Sequence, residues 1–351
     1  MSTEQKYMQR CLELASLGLG NVVPNPMVGC VVVHNGKIIG EGYHEKYGGP
    51  HAEVHAIHSV KIKELLCQST LYVTLEPCAH FGKTPPCSDL IVENKIPRVI
   101  VGTIDPFAKV AGKGIEKMRK AGIDVNVGML ENECREQNRR FFTFHEKKRP
   151  YIILKWAQTA DGFIDRERKG NEHDKTIWIT NELARRLVHK QRSEEAAIMI
   201  GTNTAEKDNP SLTVREWKGH QPYRMVLDRT GRLNPKFHLF DGTVPTLIFT
   251  DYQTETTVKS RPLVEYVKIN FSADPLAQIM NQLYQNDIQS LIIEGGAQLL
   301  TSVIVKGLWD EAHVYFGNQF FGSGMKAPLI SGKMIATEQL DECRLMVIRN
   351  F

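Results

Sequence analysis

Hydrophobic positions recur along the chain at helix and strand spacing, and they predict a first α/β region. Residues 4–18 place apolar side chains at helical intervals, which predicts an amphipathic first helix. The apolar run at 30–33 and its return at 37–40 are joined by Asn35-Gly36, a pair typical of a tight β-hairpin. We expect the following further elements: a helix over 51–59, strands at 69–75, 98–102 and 125–127, a helix that starts near 112, and a helix over 131–144.

A charged segment that ends in proline, residues 145–150, interrupts this pattern. Proline cannot continue a helix, and a new apolar strand starts at Tyr151. We therefore predict two domains, 1–146 and 147–351, as the length of 351 residues also suggests. Their strands and helices alternate, which indicates α/β layers in both. In the second domain we expect strands near 151–156, 196–200, 224–228, 246–249, 290–294 and 312–316, and helices near 181–192, 275–286 and 296–305.

Charge and cysteine content narrow the classes of protein that this chain can be. The formal charge is +4, from 44 basic and 40 acidic residues. A nucleic-acid partner usually requires a denser basic face, so we expect no nucleic-acid partner. We find no leader-like N-terminus and no run of about 18 apolar residues, so we expect no membrane partner. The odd number of cysteines, 7, does not suggest a disulfide framework. The chain is therefore expected to be cytoplasmic and reduced.

His51, Glu53, Cys78 and Cys87 form the strongest chemical pattern in the sequence. A histidine and two thiolates are good zinc ligands, and three protein ligands leave the fourth tetrahedral position to water, as in a catalytic zinc site. Glu53 is not a ligand in this interpretation; it can take a proton from water and pass it to a departing amine. The order H-x-E and then P-C matches zinc nucleobase deaminases, although 8 residues separate the two cysteines. We expect a single zinc ion per chain.

The segment PCAHFGKTPPC at 77–87 resembles the deaminase half of the bifunctional riboflavin-biosynthesis deaminase/reductases. This resemblance implies a cytidine-deaminase-like, three-layer α/β domain. It also implies that Asn25 of the P-N-P segment and His44 of the G-Y-H segment hold the pyrimidine of the substrate. Considered without the resemblance, Asn25 is better explained as a turn residue.

Two strand-to-helix turns in the second domain, 197–204 and 291–300, contain glycines. Glycine lets a ligand approach the backbone, and the first N–H groups of a helix bind anions. Either turn alone could be an ordinary tight connection, but two in one domain favour a dinucleotide site. The sequence has no G-x-G-x-x-G fingerprint here, which disfavours a standard Rossmann unit.

The second domain resembles the reductase half of the same family through KWAQTADG at 155–162, WIT at 178–180, DNPSLTVR at 208–215 and EGG at 294–296. This resemblance implies a dihydrofolate-reductase-like α/β fold with NADPH as cofactor. The residues that it assigns to NADPH are Ala157, Trp178, Thr204, Asp208, Gly296, Ala297, Gln298, Leu299, Leu300, Thr301 and Ser302. The residues that it assigns to the substrate are Thr176, Arg192, Leu212, Arg215 and Glu294. After Asp228 the family often has a small hydroxyl residue where this chain has Arg229, so the resemblance leaves the role of Arg229 open.

We interpret the chain as a bifunctional enzyme with a small-molecule substrate. It would hydrolytically remove an amine from a diaminopyrimidinone ribosylamine phosphate and then use NADPH to reduce the ribosyl group to ribityl. Arg192 and Arg215 would hold the phosphate, although an arginine considered alone more often forms a surface salt bridge. We also expect a homo-oligomer, either a dimer or a tetramer.

Two alternatives remain open from the residues alone. One is a cytidine or nucleic-acid deaminase whose second domain only binds substrate. The other is a zinc-stabilised binding protein without turnover. Glu53 argues against the binding protein, because a structural zinc has no use for a general acid or base.

Overall fold

A computed structural model of the chain describes residues 1–81, 85–107, 111–167, 177–254 and 261–351. The chain divides into two compact units, Met1–Lys148 and Arg149–Phe351, whereas the sequence placed the boundary after residue 146. The last helix of the first unit ends at Lys147, and Lys148 follows with a left-handed φ of 55°. Across the described ranges, every helix is too short or too polar to cross a lipid bilayer.

The first unit consists of a central sheet between two helical layers. Its strands are β1 (Gly29–His34), β2 (Lys37–Tyr43), β3 (Thr70–Leu75), β4 (Arg98–Thr103) and β5 (Asp124–Val127). Its helices are α1 (Thr3–Ser16), α2 (Ala52–Ser59), α3 (Cys87–Glu93), α4 (Lys113–Lys120), α5 (Glu131–Gln137) and α6 (Arg139–Lys147), with a 3-10 helix at Lys63–Gln68. The strand order is β2-β1-β3-β4-β5. Strand β1 is antiparallel to β2 and β3, whereas β3, β4 and β5 run parallel.

Each face of this sheet has its own apolar core. Met8 and Cys11 of α1 pack with Val31 on one face, and Ile57 of α2 packs with Val73 on the other. Strand β1 is therefore buried on both faces, which explains its uninterrupted apolar sequence. The end of β2, the start of β1 and the end of β3 share one edge of the sheet, since Gly29 pairs with Tyr43 and Cys30 pairs with Val73.

The structure confirms the predicted hairpin of the first unit but not its predicted C-terminal helix. Asn35 and Gly36 have φ values of 46° and 73°, so the hairpin is confirmed. The helix predicted over 131–144 is instead two helices, α5 and α6, and that prediction was wrong. Asn138 lies between them and bonds the backbone of Met27 with both ends of its amide, at 2.8 Å each. The sequence periodicity does not reveal this long-range contact.

The second unit is built on one long, mixed sheet. Its strands are β6 (Tyr151–Gln158), β7 (Phe163–Arg166), β8 (Ala197–Ile200), β9 (Tyr223–Leu227), β10 (Thr246–Asp251), β11 (Val264–Ile269), β12 (Ser290–Ile293), β13 (Glu311–Phe316), β14 (Gly324–Lys326), β15 (Lys333–Leu340) and β16 (Cys343–Arg349). Its helices are α7 (Glu182–Glu194), α8 (Thr202–Asp208), α9 (Pro275–Gln285) and α10 (Ala297–Val305), with a 3-10 helix at His238–Phe240. Strands β7 and β14 form a separate antiparallel pair.

The long sheet has the strand order β11-β10-β9-β8-β12-β6-β13-β16-β15. The first seven of these strands run parallel, and β16 and β15 close the sheet with antiparallel pairs. The carboxyl ends of β6, β12, β8 and β9 therefore meet along one edge. In open α/β sheets, ligands bind at this edge.

Candidate active sites

The structure brings together three metal-binding side chains of the first unit. The Nδ1 atom of His51 lies 3.6 Å from the Sγ atom of Cys78 and 3.3 Å from the Sγ atom of Cys87. All three donor atoms lie within 4.8 Å of one another. They come from the residue that precedes α2, from the loop after β3 and from the start of α3, so the group exists only in the folded unit.

This donor set fits a zinc ion. Zinc binds nitrogen at about 2.0–2.1 Å and sulfur at about 2.3 Å in tetrahedral sites, which places a nitrogen and a sulfur ligand about 3.6 Å apart. The two measured separations, 3.6 and 3.3 Å, lie close to this value. Among the described residues this is the one group of three or more His, Cys, Asp or Glu side chains that could hold a metal ion. Three protein donors leave a tetrahedral position open, as in catalytic zinc sites.

Glu53 lies beside the donors without belonging to them. Its side chain is on the first turn of α2, two residues from His51, and the residue is only 3% exposed. Burial raises the pKa of this carboxyl group, and the charge of the nearby His51 opposes that effect. The structure therefore has a buried carboxyl group within the site, as a proton carrier requires.

Glycine allows helix α2 to lie close to strand β2. A Cβ atom on Gly42 would lie 2.4 Å from the backbone nitrogen of Ala56, so a larger residue would push the helix away. His51 immediately precedes this helix, and Cys87 is the first residue of α3. The backbone N–H of Cys87 donates a hydrogen bond to the Sγ atom of Cys78 at 3.3 Å. N–H donors at a helix start favour the thiolate form, which is the form that binds metal.

Glu76 supports the loop that carries Cys78, a role that no pattern in the sequence indicates. Its buried carboxylate accepts hydrogen bonds from the backbone N–H groups of Gly112 and Gly114, both at 2.9 Å, and of Asp105 at 3.3 Å. The carboxylate thus connects the loop that carries Cys78 to the start of α4. Gly114 is needed for this contact, because a Cβ atom there would lie 1.9 Å from the carbonyl oxygen of Pro77.

Asn25 and His44 are neighbours in the structure. The Asn25 Nδ2 atom lies 3.1 Å from His44 Nε2, and His44 Nδ1 lies 3.0 Å from the carbonyl oxygen of Pro50. The Pro50 carbonyl can only accept and the Asn25 Nδ2 group can only donate, so His44 donates from Nδ1 and accepts at Nε2. Burial lowers the pKa of His44, which favours this neutral form. The His44 ring also meets the His51 ring edge-on, with centroids 5.4 Å apart. Of the two predicted pyrimidine-binding residues, His44 therefore contacts a metal-binding residue, and Asn25 contacts His44.

The second unit has a cleft of about 900 Å³ at the carboxyl edge of its long sheet. It is lined by ten of the eleven residues that the sequence assigned to NADPH: Ala157, Trp178, Thr204, Asp208, Gly296, Ala297, Gln298, Leu299, Leu300 and Ser302. Thr301, the eleventh, is exposed on α10 and does not line the cleft. The volume and the elongated set of wall residues are suitable for a dinucleotide.

Both glycine-containing turns open into this cleft. Gly201 precedes α8, and Gly296 precedes α10, so the unpaired N–H groups of two helix starts face the same space. A Cβ atom on Gly296 would lie 3.0 Å from the Thr204 Oγ1 atom, whereas a Cβ atom on Gly201 would meet nothing closer than 3.8 Å. A side chain at position 296 would therefore crowd Thr204 where the two turns meet, and the N–H groups offer a place for a pyrophosphate.

A buried ion pair lies at one end of the cleft. Arg192 binds Glu294 with two hydrogen bonds of 2.8 and 2.7 Å, and the two side chains are only 11% and 7% exposed. Burial alone would raise the pKa of Glu294, but Arg192 and Lys155 outweigh it and lower the pKa to about 2. Lys155, which the sequence analysis missed, lies 3.7 Å from Glu294. Strands β12 and β6 pair Ile293 with Leu154, which places the next residues, Glu294 and Lys155, side by side.

The predicted substrate residues of the second unit do not form one group in the structure. Arg192 was expected to bind phosphate. In the structure Glu294 occupies its guanidinium fork, and its Nη1 atom donates to the carbonyl oxygen of Thr213. Arg215 is exposed, and its Nη1 atom donates to the hydroxyl group of Thr213 at 3.0 Å. Leu212 is buried in the apolar core with Ile200. Thr176 lies outside the described residues.

Comparison with known proteins identifies the family. Residues 150–350 match the RibD C-terminal domain, and residues 1–103 match the cytidine and deoxycytidylate deaminase zinc-binding region. The riboflavin biosynthesis protein RibD of Aquifex aeolicus is 41% identical over 324 residues, which cover 92% of this chain and 89% of the relative. The chain belongs to the RibD family.

Solved structures of RibD proteins have the same fold. A Thermotoga maritima diaminohydroxyphosphoribosylaminopyrimidine deaminase/5-amino-6-(5-phosphoribosylamino)uracil reductase matches with a TM-score of 0.87 and 39% identity, over 99% of each chain. Acinetobacter baumannii RibD matches with a TM-score of 0.86 and 33% identity, over 99% of this chain and 98% of that one. As a RibD protein, the chain is a bifunctional enzyme of riboflavin biosynthesis. It has a zinc-binding deaminase domain and a reductase domain of the NADPH-using kind. The predicted fold class is confirmed.

Proposed function

We propose that the chain deaminates 2,5-diamino-6-(5-phosphoribosylamino)pyrimidin-4(3H)-one in its first unit and reduces 5-amino-6-(5-phosphoribosylamino)uracil in its second. The assembly of His51, Cys78 and Cys87 around an open ligand position, with Glu53 beside them, carries the deaminase assignment. The substrate is the one named for the Thermotoga relative. The assignment of residues 1–146 and 147–351 to the two reactions is part of the proposal.

In the deamination, His51, Cys78 and Cys87 would hold one zinc ion per chain, and zinc supplies the Lewis acidity that makes water nucleophilic at neutral pH. Asn25 and the neutral His44 would orient the pyrimidine by hydrogen bonds. Glu53 would accept a proton from the attacking water and deliver it to the departing amine, so that water and substrate give the carbonyl product and ammonia.

In the reduction, NADPH would supply a hydride to the sugar carbon that bears the pyrimidine nitrogen. The bond from that carbon to the ring oxygen breaks and the oxygen takes a proton, so that substrate, hydride and proton give the open ribityl chain and NADP⁺. The N–H groups before α8 and α10 would bind the pyrophosphate, and Ala157, Trp178, Thr204 and Asp208 would line the cofactor along the cleft. Glu294, held by Arg192 and Lys155, would orient the hydroxyl groups of the sugar. Arg215, with its exposed guanidinium group, would hold the phosphate. Leu212 and Thr176 remain assigned to the substrate.

Product analysis tests both halves. Purified protein with the diaminopyrimidine substrate should give the uracil product without NADPH and the ribityl product with NADPH, as identified by mass spectrometry. Glu53→Gln should abolish deamination while zinc stays at about one ion per chain. Cys87→Ala should lose both the deaminase activity and the bound zinc. Loss of zinc from the Glu53→Gln variant would contradict its assignment as a proton carrier.

Two general properties complete the proposal. The chain would form a dimer or a tetramer, which sedimentation analysis would test. It would also work in the cytoplasm, since its seven cysteines are all free and two of them serve as zinc ligands in this assignment.

A further inference from the structure

The turn that follows β9, residues 228–233, borders the cleft and contains Arg229, whose role the sequence left open. Asp228 is 2% exposed, and its two carboxylate oxygens accept hydrogen bonds from the backbone N–H groups of Arg232 at 3.0 Å and Leu233 at 3.1 Å. These bonds fold the turn, and Arg229, Thr230 and Arg232 line the cleft. Asp228 is therefore a structural residue of the turn.

The arginines of this turn differ in how firmly their charges are engaged. Arg232 donates from Nη2 to Asn203 at 2.8 Å and to Glu206 at 2.9 Å. The side chain of Arg229 is 60% exposed, its Nε atom lies 3.5 Å from an Asp251 oxygen, and its guanidinium carbon lies 5.8 Å from the centre of the Phe271 ring. A separation of 3.5 Å is a loose ion pair. Arg229 can therefore turn its guanidinium fork towards an anion in the cleft.

The position of this turn along the sheet indicates which part of a dinucleotide it would meet. Strands β6, β12, β8 and β9 are consecutive neighbours, so three strand spacings, about 14 Å, separate Lys155 on β6 from the end of β9. The start of α10, which is suited to a pyrophosphate, follows β12 and therefore lies between these limits. The proposed reductase function places the nicotinamide, which donates the hydride, beside Glu294 and Lys155. The adenosine half of the cofactor then extends towards β9.

We propose that Arg229 binds the 2′-phosphate of NADPH and sets the preference of this chain for NADPH over NADH. Sites that select NADH offer a free carboxylate to the ribose hydroxyl groups, whereas an arginine accommodates the 2′-phosphate. The carboxylate at the end of β9 is already bonded to the backbone, and the next side chain is a cation. This inference rests on the proposed reductase function.

Calorimetric titration of the full-length chain tests the proposal without turnover. The probes are NADP⁺, NAD⁺ and adenosine 2′,5′-bisphosphate, which carries the phosphate without the nicotinamide. The variants are Arg229→Ala and Arg229→Lys. Arg186→Ala is the matched control, because Arg186 is an exposed arginine of the same unit that pairs with Glu182 and does not line the cleft. Thermal unfolding of each variant shows whether the unit is folded.

Loss of a charge-assisted contact should weaken the binding of NADP⁺ and of the bisphosphate to Arg229→Ala about 10- to 150-fold. Binding of NAD⁺ should stay within about twofold, Arg229→Lys should lose less, and Arg186→Ala should match the wild type. Equal weakening of NADP⁺ and NAD⁺, or no weakening of either, would overturn the role of Arg229 while the reductase assignment stands. Wild-type protein that binds neither dinucleotide would overturn both.

Discussion

Arg192→Ala should strongly destabilise the second unit, because it leaves the Glu294 carboxylate buried without its main partner. The pair has two hydrogen bonds of 2.8 and 2.7 Å and almost no exposure to solvent. Removing one member of a buried pair typically costs about 3–5 kcal/mol of unfolding free energy. The Nζ atom of Lys155 lies 3.7 Å from a Glu294 oxygen and replaces part of the lost positive charge. We therefore expect the unfolding free energy to fall by an amount near the lower limit, about 3 kcal/mol.

Urea unfolding of the intact chain, followed by tryptophan fluorescence, measures this loss. All four tryptophans, at 156, 178, 217 and 309, belong to the second unit, so the signal does not report the first. A loss of about 3 kcal/mol should lower the midpoint by roughly 1–1.5 M urea. Arg186→Ala, which breaks a pair with side chains 58% and 63% exposed, should change the free energy by less than about 0.5 kcal/mol.

The pH dependence of the stability loss shows whether the loss comes from the uncompensated charge of Glu294 or only from the cavity that Arg192→Ala leaves. In the wild type the pKa of Glu294 is lowered to about 2 from an ordinary 4.5, so its stabilisation is complete above pH 4.5 and is lost as the pH falls towards 2. Without Arg192, burial raises this pKa, and protonation removes the buried charge. The deficit of Arg192→Ala should therefore shrink between pH 7 and pH 5. A deficit that is below about 1 kcal/mol, or equal at both pH values, would refute the reasoning.

Two further changes test the substrate phosphate and the support of the metal site. Arg215→Ala should raise the reductase KM for the pyrimidine phosphate about 10- to 150-fold and leave NADPH affinity unchanged; an equal loss of NADPH affinity in a binding titration would place Arg215 at the cofactor. Glu76→Gln should weaken zinc binding about tenfold or more in chelator competition, because the amide nitrogen cannot accept the backbone N–H bonds. Glu116→Gln, an exposed change on α4, is its control, and equal zinc affinity in both variants would contradict a positioning role for Glu76.

Local sequence patterns predicted those features that depend on few residues. Asn35-Gly36 specifies its hairpin through two positive φ values, and His51, Cys78 and Cys87 were recognised as donors from their chemistry alone. The edge strands β11 and β15, and the strand β16 next to β15, were missed. Strand β15 has one buried residue, Leu340, so it lacks the apolar alternation by which a strand is recognised.

Contacts between segments distant in sequence could not be predicted either. Glu76 meets Gly112 and Gly114 across more than 35 positions, and the neighbourhood of Lys155 and Glu294 follows from strand register. Arg192 was expected to bind phosphate from the chemistry of its guanidinium group and from the resemblance, whereas its partner Glu294 lies 102 positions away in the sequence. A sequence pattern identifies the chemistry of a side chain, whereas its partners are determined by the tertiary structure.

The uneven exposure of the cysteines offers a means of observing the first unit alone. Cys67 is exposed, Cys78 is partly exposed at the metal-binding group, and the other five are buried. A thiol-reactive dye applied to zinc-loaded protein would therefore attach at Cys67, in the unit that contains no tryptophan. Dye emission would then report the deaminase half while tryptophan emission reports the reductase half, so both can be followed in one undivided molecule.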